Sequence, residues 1–195
     1  MPLLTITSRV EKDNHILMRR EDYEGGSGLR YPPPWNDDTL YKPSEREIVL
    51  KKVMVITGRV HPGESNGSWM MQGFLNFITG NSLNAQELRR RVVFKVIPMS
   101  NVDGVIIGNY RSSLSGNDLN RQYQDPDPRL HPTVIAIKEL ISSLKKECYE
   151  KLPQNTQAQR RNYEELEPIT CFIDMHGHSR KKSVFMYGPY FALHS

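Results

Sequence analysis

Hydrophobic and polar positions along the chain predict strands and helices in turn. Short apolar runs rich in β-branched residues, some of them unbroken (VMVIT, ITCFID), are typical of buried strands in a parallel or mixed sheet. The predicted strands are Leu3–Ile6, Ile48–Val60, Val92–Ile97, Ile169–Asp174 and Val184–Tyr187.

Apolar residues at helical spacing separate several of these strands. They predict helices over Ser65–Ile78 and Pro132–Leu144, the second with Pro132 in its first turn. The basic run Arg89–Arg91 is typical of a helix C-terminus, where cations are favoured. Strands that alternate with helices favour an α/β fold, and we expect a mixed, mostly parallel sheet with helices on both faces.

Three polar segments predict loops rather than regular elements. Glu11–Glu47 carries several glycines and three consecutive prolines, and Ser100–Pro128 is rich in glycine, asparagine and aspartate. Residues 149–168 are polar and predict an exposed insertion. Loops as long as Ser100–Pro128 inside a compact domain usually carry function.

Composition narrows the class of protein. The 195 residues are 37% hydrophobic and 25% charged, as in an ordinary soluble domain or part of one. Two cysteines, Cys148 and Cys171, exclude a disulfide scaffold and a Cys-rich zinc site. No signal peptide or membrane span is apparent, which predicts a cytoplasmic protein without a membrane partner.

The net charge of the chain permits several kinds of binding partner and identifies none. Lysine and arginine total 26 against 22 acidic residues, a net charge of +4 that permits an acidic partner without requiring one. Basic and aromatic residues are not interleaved as in single-strand binders, so we expect no nucleic-acid partner.

Side chains that could bind a metal ion come directly after two of the predicted strands. His61 and Glu64 come straight after the strand that ends near Val60, and His176 follows the strand that ends at Asp174. Sites in α/β sheets form beyond the carboxyl ends of strands. Two histidines and a glutamate are ligands typical of catalytic zinc, with the fourth position left to water. The H-x-x-E spacing alone is a weak signal, because it occurs by chance and also fits a solvated histidine beside a helix-capping glutamate.

Three ordered motifs carry a family resemblance. HPGESN, the run NVDG…GNYR…DLNR, and DMHGHSRKKSVFMYG together resemble the cytosolic carboxypeptidases, the branch of the zinc carboxypeptidases that shortens glutamate chains on tubulin. The resemblance implies that residues 1–195 are a partial zinc carboxypeptidase catalytic domain. It also implies that the family's N-terminal β-sandwich domain and the C-terminal third of the peptidase domain are absent.

The same resemblance implies a metal site with one zinc ion per chain. His61, Glu64 and His176 match the three zinc ligands of the family. Asp118 matches the carboxylate that holds the first ligand histidine, which would fix its tautomer.

Substrate-binding residues are implied in the same way. Asn120 and Arg121 match the pair that grips the C-terminal carboxylate of the substrate, and Arg111 matches the arginine that polarises the scissile carbonyl. The family's general-base glutamate matches no residue here, because His178–Ser195 contains no aspartate or glutamate.

The expected function is therefore that of a zinc-dependent metallocarboxypeptidase. It would remove C-terminal or side-chain-linked glutamates from acidic protein tails such as those of tubulin, in the cytoplasm and in association with microtubules. The alternative is a catalytically inactive, truncated form that binds zinc and acidic C-terminal tails without hydrolysis.

Four further features have more ordinary interpretations. We expect His178 to shape the loop beside the zinc without touching it, and His131 to lie on the surface. The segment Arg180–Lys182 either attracts an acidic tail or forms a solvated turn. Met70 and Met71 are expected in the core.

Overall fold

The structure, a computed structural model, describes residues 1–7, 17–19, 48–150 and 168–188. The strands in these residues are β1 (Leu4–Ile6), β2 (Leu17–Arg19), β3 (Ile48–Leu50), β4 (Lys52–Gly58), β5 (Val92–Ile97) and β6 (Ile169–Met175). The α-helices are α1 (Ser65–Ile78), α2 (Leu83–Arg91), α3 (Val102–Ile107) and α4 (Pro132–Glu150), and a 3-10 turn covers Leu119–Arg121.

The main sheet has the strand order β1-β5-β4-β6. Strand β4 runs parallel to both β5 and β6, whereas β1 runs antiparallel to β5. Strands β2 and β3 form a separate antiparallel pair. The predicted mixed, mostly parallel sheet is confirmed, and it brings the carboxyl ends of β4 and β6 to one edge.

Helices cover both faces of this sheet, as predicted. Alternate residues of a strand point to opposite faces, so side chains of β4 pack into two cores, one on each face of the sheet. Val53 and Val55 pack with Leu144 and Cys148 on the α4 side. On the other side β4 and β5 pack against α1, in a core of Ile56, Met71, Ile78, Phe94 and Val96.

Local signals explain where the helices begin and end. The Ser82 hydroxyl accepts the Ala85 N–H at the start of α2, and three arginines end that helix, as the sequence indicates. The Asn101 side chain caps α3 by accepting the Gly104 N–H. At the other end of α3, Gly108 adopts the left-handed conformation with φ +87°.

Two predicted loops contain regular structure. Segment Ser100–Pro128 holds α3 and the 3-10 turn, elements too short to show a hydrophobic period. Strand β2 lies within Glu11–Glu47, although the remainder of that segment is outside the described residues. The predicted insertion at 149–168 is also outside them, except that α4 continues to Glu150 and Pro168 is buried.

The predicted strands also need correction. Val184–Tyr187 forms no strand, and Val184 and Met186 are about nine-tenths exposed, because no described strand pairs with this segment. Strand β6 is half-buried rather than buried, since it lies at the edge of the described sheet and leaves Phe172 exposed. Cys171 in β6 is accordingly half-buried as well.

Two predictions about single side chains are wrong. His131 is buried, not on the surface: its Nδ1 accepts the Asp127 N–H at 3.0 Å, and its Nε2 lies 3.0 Å from the Asn117 amide. Both partners lie in loops, where spacing indicates no contact. Met71 is in the core as expected, but Met70 on the same helix is exposed.

None of the helices in the described part of the chain is both long and apolar enough to cross a membrane.

Candidate metal centre

Three predicted ligands meet at the edge of the sheet where β4 and β6 end. His61 follows β4, Glu64 stands directly before α1, and His176 follows β6. One ligand atom from each of these side chains lies within 4.8 Å of the other two. His61 is buried and the other two are half-buried.

The turn from His61 to Glu64 is held by its backbone. Gly63 donates its N–H to the Tyr110 carbonyl at 2.7 Å, and a Cβ at this position would clash with the Tyr110 ring and lie 2.8 Å from that carbonyl oxygen. Glycine is therefore required by a close approach to another loop. Arg59 braces the same turn by donating from Nε and Nη2 to the Pro62 carbonyl, at 3.0 and 2.8 Å.

Both imidazoles are oriented in the same way relative to Glu64. Nδ1 of His61 lies 2.8 Å from Oε1, and Nδ1 of His176 lies 3.1 Å from Oε2. The two ring centroids are 5.0 Å apart. The Gly177 N–H also donates to Oε2, at 2.8 Å. Glu64 is thus fixed between the two rings, with one oxygen facing each.

The outer nitrogen of each ring contacts a second carboxylate. Nε2 of His61 lies 3.1 Å from Asp118 Oδ1, and Nε2 of His176 lies 2.6 Å from Asp174 Oδ2. An ionised carboxylate only accepts hydrogen bonds, so a proton on each Nε2 would satisfy these two contacts. In a neutral imidazole the Nδ1 lone pair then points towards Glu64.

This donor set fits a cation. Two Nδ1 lone pairs that face carboxylate oxygens repel them unless a proton or a metal ion lies between. Two imidazoles and one carboxylate match the ligands of a catalytic zinc site. Without metal, the hydrogen bond to Asp174 raises the pKa of His176 against the opposing effect of burial, and the charges of Asp174 and Glu64 add to the rise.

Asp118 connects the candidate metal centre to Arg111. Its Oδ2 accepts hydrogen bonds from Arg111 Nε at 2.9 Å and Nη2 at 2.8 Å. Its Oδ1 lies against His61 Nε2 and accepts the Asn120 N–H. Burial opposes ionisation of Asp118, but the bonds from His61 and Asn120 hold its pKa below the usual range. Arg111 is therefore anchored by one edge of its guanidinium, and about half of the side chain is exposed.

The other predicted substrate-binding residues lie in the 3-10 turn that Asp118 caps. Leu119 anchors this turn in a buried cluster with Val60. Asn120 is half-buried, whereas Arg121 is exposed and donates to the Asn120 carbonyl at 3.3 Å. The structure therefore places both residues next to Asp118, outside the three-ligand group.

His178 lies outside the three-ligand group of the described residues. Its Nδ1 accepts the N–H groups of Arg180 and Lys181 at 3.1 and 3.0 Å. The ring packs against Phe185, over which the Lys181 ammonium also lies at 4.9 Å. His178 thus holds the loop that follows the third ligand.

Several side chains at the site were missed by the sequence analysis. Asp174 could have been found, because it stands two positions before His176 and extended residues at that spacing share a face. Thr57, which donates to Asp174 Oδ1 at 2.7 Å, and Arg59 have no comparable signal. Tyr123 is half-buried nearby; burial, together with the charge of Asp174, raises its pKa to about 12.

A family model described as zinc carboxypeptidase matches residues 29–189. Cytosolic carboxypeptidase 1 of Mus musculus is 48% identical over 133 residues, which cover 68% of this chain and 9% of the relative. Cytosolic carboxypeptidase 2 of Homo sapiens is 45% identical over 152 residues, which cover 77% of this chain and 15% of the relative.

Two solved structures of metallo-carboxypeptidases show a partial likeness to this chain. One from Burkholderia cenocepacia is 35% identical, with a TM-score of 0.46 over 48% of this chain and 26% of that chain. One from Pseudomonas aeruginosa, in complex with (2-guanidinoethylmercapto)succinic acid, is 23% identical, with a TM-score of 0.49 over 65% of this chain and 28% of that chain.

Proposed function

Because this chain belongs to the zinc carboxypeptidase family, we propose that it is a zinc-dependent metallocarboxypeptidase that removes C-terminal or side-chain-linked glutamates from acidic protein tails. The observation that carries the proposal is the convergence of His61, Glu64 and His176 at one sheet edge. The chain spans only 9% and 15% of the length of the two curated relatives named above, so activity, substrate and partners are proposals.

The proposed metal ligands are Nδ1 of His61, Nδ1 of His176 and the carboxylate of Glu64. Zinc bound there would lower the pKa of its water and polarise a peptide carbonyl. Asp118 would accept the Nε2 proton of His61 and thereby keep the Nδ1 lone pair of that ring available.

We assign the substrate contacts to the loop that ends in the 3-10 turn. Arg111 binds Asp118 through Nε and Nη2, so the rest of its half-exposed guanidinium is available for a scissile carbonyl oxygen. Arg121 is exposed and has no carboxylate partner among the described residues, so its planar fork can grip a C-terminal carboxylate beside Asn120.

Surface charge supports a preference for acidic tails. Arg180, Lys181 and Lys182 are exposed in the loop that follows His176, and the chain carries a net charge of +4. The relatives are named cytosolic, which supports a location in the cytoplasm, and the motif resemblance supports the tubulin tail on microtubules as the substrate.

The alternative function is binding of zinc and acidic tails without hydrolysis. Hydrolysis would also require a general base, a role that we assign to none of the residues named above. The assigned residues suffice for metal binding and for a carboxylate grip.

Two measurements on one peptide separate these functions. The peptide is an acidic tail with a free C-terminal glutamate, and its control is the same peptide with a C-terminal amide. Release of glutamate supports the peptidase, whereas binding without release supports the alternative. Both functions predict that Arg121→Ala abolishes the preference for the free carboxylate, while Arg129→Ala, which changes an arginine paired with Asp127, does not.

Metal analysis tests the zinc site directly. We expect about one zinc per chain, lost in His61→Ala and in His176→Ala. A folded wild-type chain that binds no zinc contradicts the proposed function.

A further inference from the structure

A carboxylate that the sequence motifs leave unassigned lies behind one of the two candidate metal-binding histidines. Asp174 Oδ2 lies 2.6 Å from His176 Nε2, and the Asp174 side chain is 15% exposed. We propose that Asp174, braced by Thr57, is the positioning residue for His176: it fixes the ring with Nδ1 towards Glu64 and strengthens Nδ1 as a metal ligand. This inference rests on the proposed function, because the ligand concerned is that of the proposed zinc site.

The strand itself brings Asp174 to His176. Residues two apart in an extended chain point to the same face, so both side chains lie on one side of β6 and its continuation. Met175, between them, packs on the opposite side with the core formed by β4, β5 and α1. The position of Asp174 is therefore set by backbone geometry.

Thr57 holds the other oxygen of the same carboxylate. It is the register partner of Asp174 in the parallel pair β4–β6, and it is 1% exposed. Its hydroxyl donates to Asp174 Oδ1 at 2.7 Å. With Oδ1 bound to a hydroxyl, Oδ2 is the oxygen that faces the imidazole, so the carboxylate cannot rotate without loss of a buried hydrogen bond.

The two histidines are supported by different means. Asp118, behind His61, shares its charge with the Arg111 guanidinium. Among the described residues, His176 is the one ionisable base paired with Asp174. The negative charge of Asp174 is therefore not offset by an arginine and is directed to the imidazole, where it increases electron density at Nδ1. A buried hydroxyl, a carboxylate and an imidazole thus form one chain of hydrogen bonds that ends at the metal position.

Zinc affinity of the full chain, measured by competition with a chromogenic chelator, tests this role. Asp174→Asn removes the charge and is expected to weaken zinc binding by about 10- to 100-fold. The matched control is Asp103→Asn, which makes the same charge change at an exposed carboxylate in α3. Equal affinities for Asp174→Asn and Asp103→Asn would overturn the inference.

Thr57 provides a second pair of variants that leave all proposed ligands in place. Thr57→Val keeps the shape and removes the hydroxyl, so zinc affinity should fall several-fold. Thr57→Ser keeps the hydroxyl and should retain wild-type affinity. A purely structural role of Thr57 predicts the opposite order, because serine loses the packed methyl group. That order would overturn the relay from Thr57 to His176.

The tautomer of His176 gives a readout that needs no metal. In the metal-free chain at a pH where this imidazole is neutral, ¹⁵N NMR of labelled histidine should place the proton on Nε2, and Asp174→Ala should remove that preference. A proton on Nδ1 in the wild-type chain would overturn the inference. The signal is assigned by its loss in His176→Gln.

These results separate the inference from the proposed function. A wild-type chain that binds no zinc contradicts the proposed function and the affinity half of the inference, while the tautomer still decides whether Asp174 positions His176. A chain that binds zinc with the expected order of variants but releases no glutamate contradicts the peptidase activity and supports the role of Asp174.

Discussion

At the scale of single residues, the candidate site depends on contacts that tolerate little change. Glu64 places one oxygen against each imidazole. Asp118 contacts His61 with one oxygen and Arg111 with the other. Each carboxylate therefore orients two other groups, so removal of one affects its neighbours. Gly63 adds a steric requirement, because it lies against Tyr110.

Arg111→Ala should lower kcat by about 10²- to 10³-fold if the guanidinium stabilises the developing oxyanion. Arg111→Lys should restore little, because an ammonium lacks the planar fork that can bind Asp118 and a carbonyl at once. Steady-state kinetics on a glutamate-tailed peptide measures this effect. The zinc content of each variant must stay near that of wild type, and Arg129→Ala is the surface control. Unchanged kcat in Arg111→Ala would refute the assigned role.

Gly63→Ala and Gly73→Ala should change stability in opposite directions. The new Cβ at Gly63 would meet the Tyr110 carbonyl oxygen at 2.8 Å, so we expect a loss of about 1–3 kcal/mol in the free energy of unfolding. Gly73 lies mid-helix in α1 with nothing within 4 Å of a Cβ, so alanine should stabilise by up to about 1 kcal/mol. Urea unfolding curves measure both, and equal effects would contradict this account.

At the scale of elements, the ends of helices and strands determine where the functional side chains lie. Helix α1 begins directly after Glu64 without a side-chain cap, because the Glu64 carboxylate is bound to the two imidazoles and to Gly177. Helix α2, remote from the site, has the opposite arrangement, with a serine cap and basic residues that pair with its own Glu87.

Glu87→Gln should reduce stability in a pH-dependent way. The hydrogen bond from Arg90 outweighs burial, and the pKa of Glu87 is lowered from its ordinary value of 4.5, with Arg91 contributing as well. The carboxylate therefore stabilises the fold above about pH 4.5 and loses this effect as the pH falls through its lower folded-state pKa. Because the pair is partly exposed, we expect about 0.5 kcal/mol at neutral pH.

Urea titrations at pH 7 and at steps below pH 4.5 follow this difference between Glu87→Gln and wild type. The control is Glu139→Gln on α4, an exposed glutamate without an ion pair among the described residues. A difference for Glu87→Gln that does not diminish in acid would contradict the ion-pair explanation.

At the scale of the whole molecule, the candidate metal centre connects two distant parts of the chain. His61 and Glu64 belong to the β4–α1 turn, and His176 comes 112 residues after Glu64. Strand β6 lies at the edge of the described sheet, with hydrogen-bonded pairing to β4 alone. A metal ion bound here would link this edge strand to the centre of the sheet.

Zinc should therefore raise the melting temperature of the wild-type chain. Binding to the folded state alone stabilises by about 2.7 kcal/mol when free zinc is a hundredfold above its Kd. Addition of a chelator should reverse the shift. His176→Ala should show no shift, because the link to β6 is lost. Differential scanning calorimetry measures the shift in melting temperature, and an equal shift in His176→Ala would place the metal elsewhere.

The bounds of several strands and helices, and the candidate metal ligands, follow from local patterns in the sequence. Val92–Ile97 and Ser65–Ile78 have the predicted bounds, because unbroken apolar runs and a 3.6-residue period are properties of neighbouring residues. The H-x-x-E turn and the histidine after β6 indicated candidate ligands for the same reason.

Contacts between residues that are distant in the sequence could not be predicted from that local pattern. The register of β4 against β6 pairs Thr57 with Asp174, and loop packing buries His131 between Asn117 and Asp127. No described strand pairs with Val184–Tyr187, and this too depends on tertiary contacts and not on local pattern. Sequence by itself determined which residues can form strands, helices and metal ligands. Tertiary structure decided how the ligands meet and what braces them, because contacts such as Thr57–Asp174 and Glu64–His176 join distant residues and depend on strand register, which spacing along the chain does not encode.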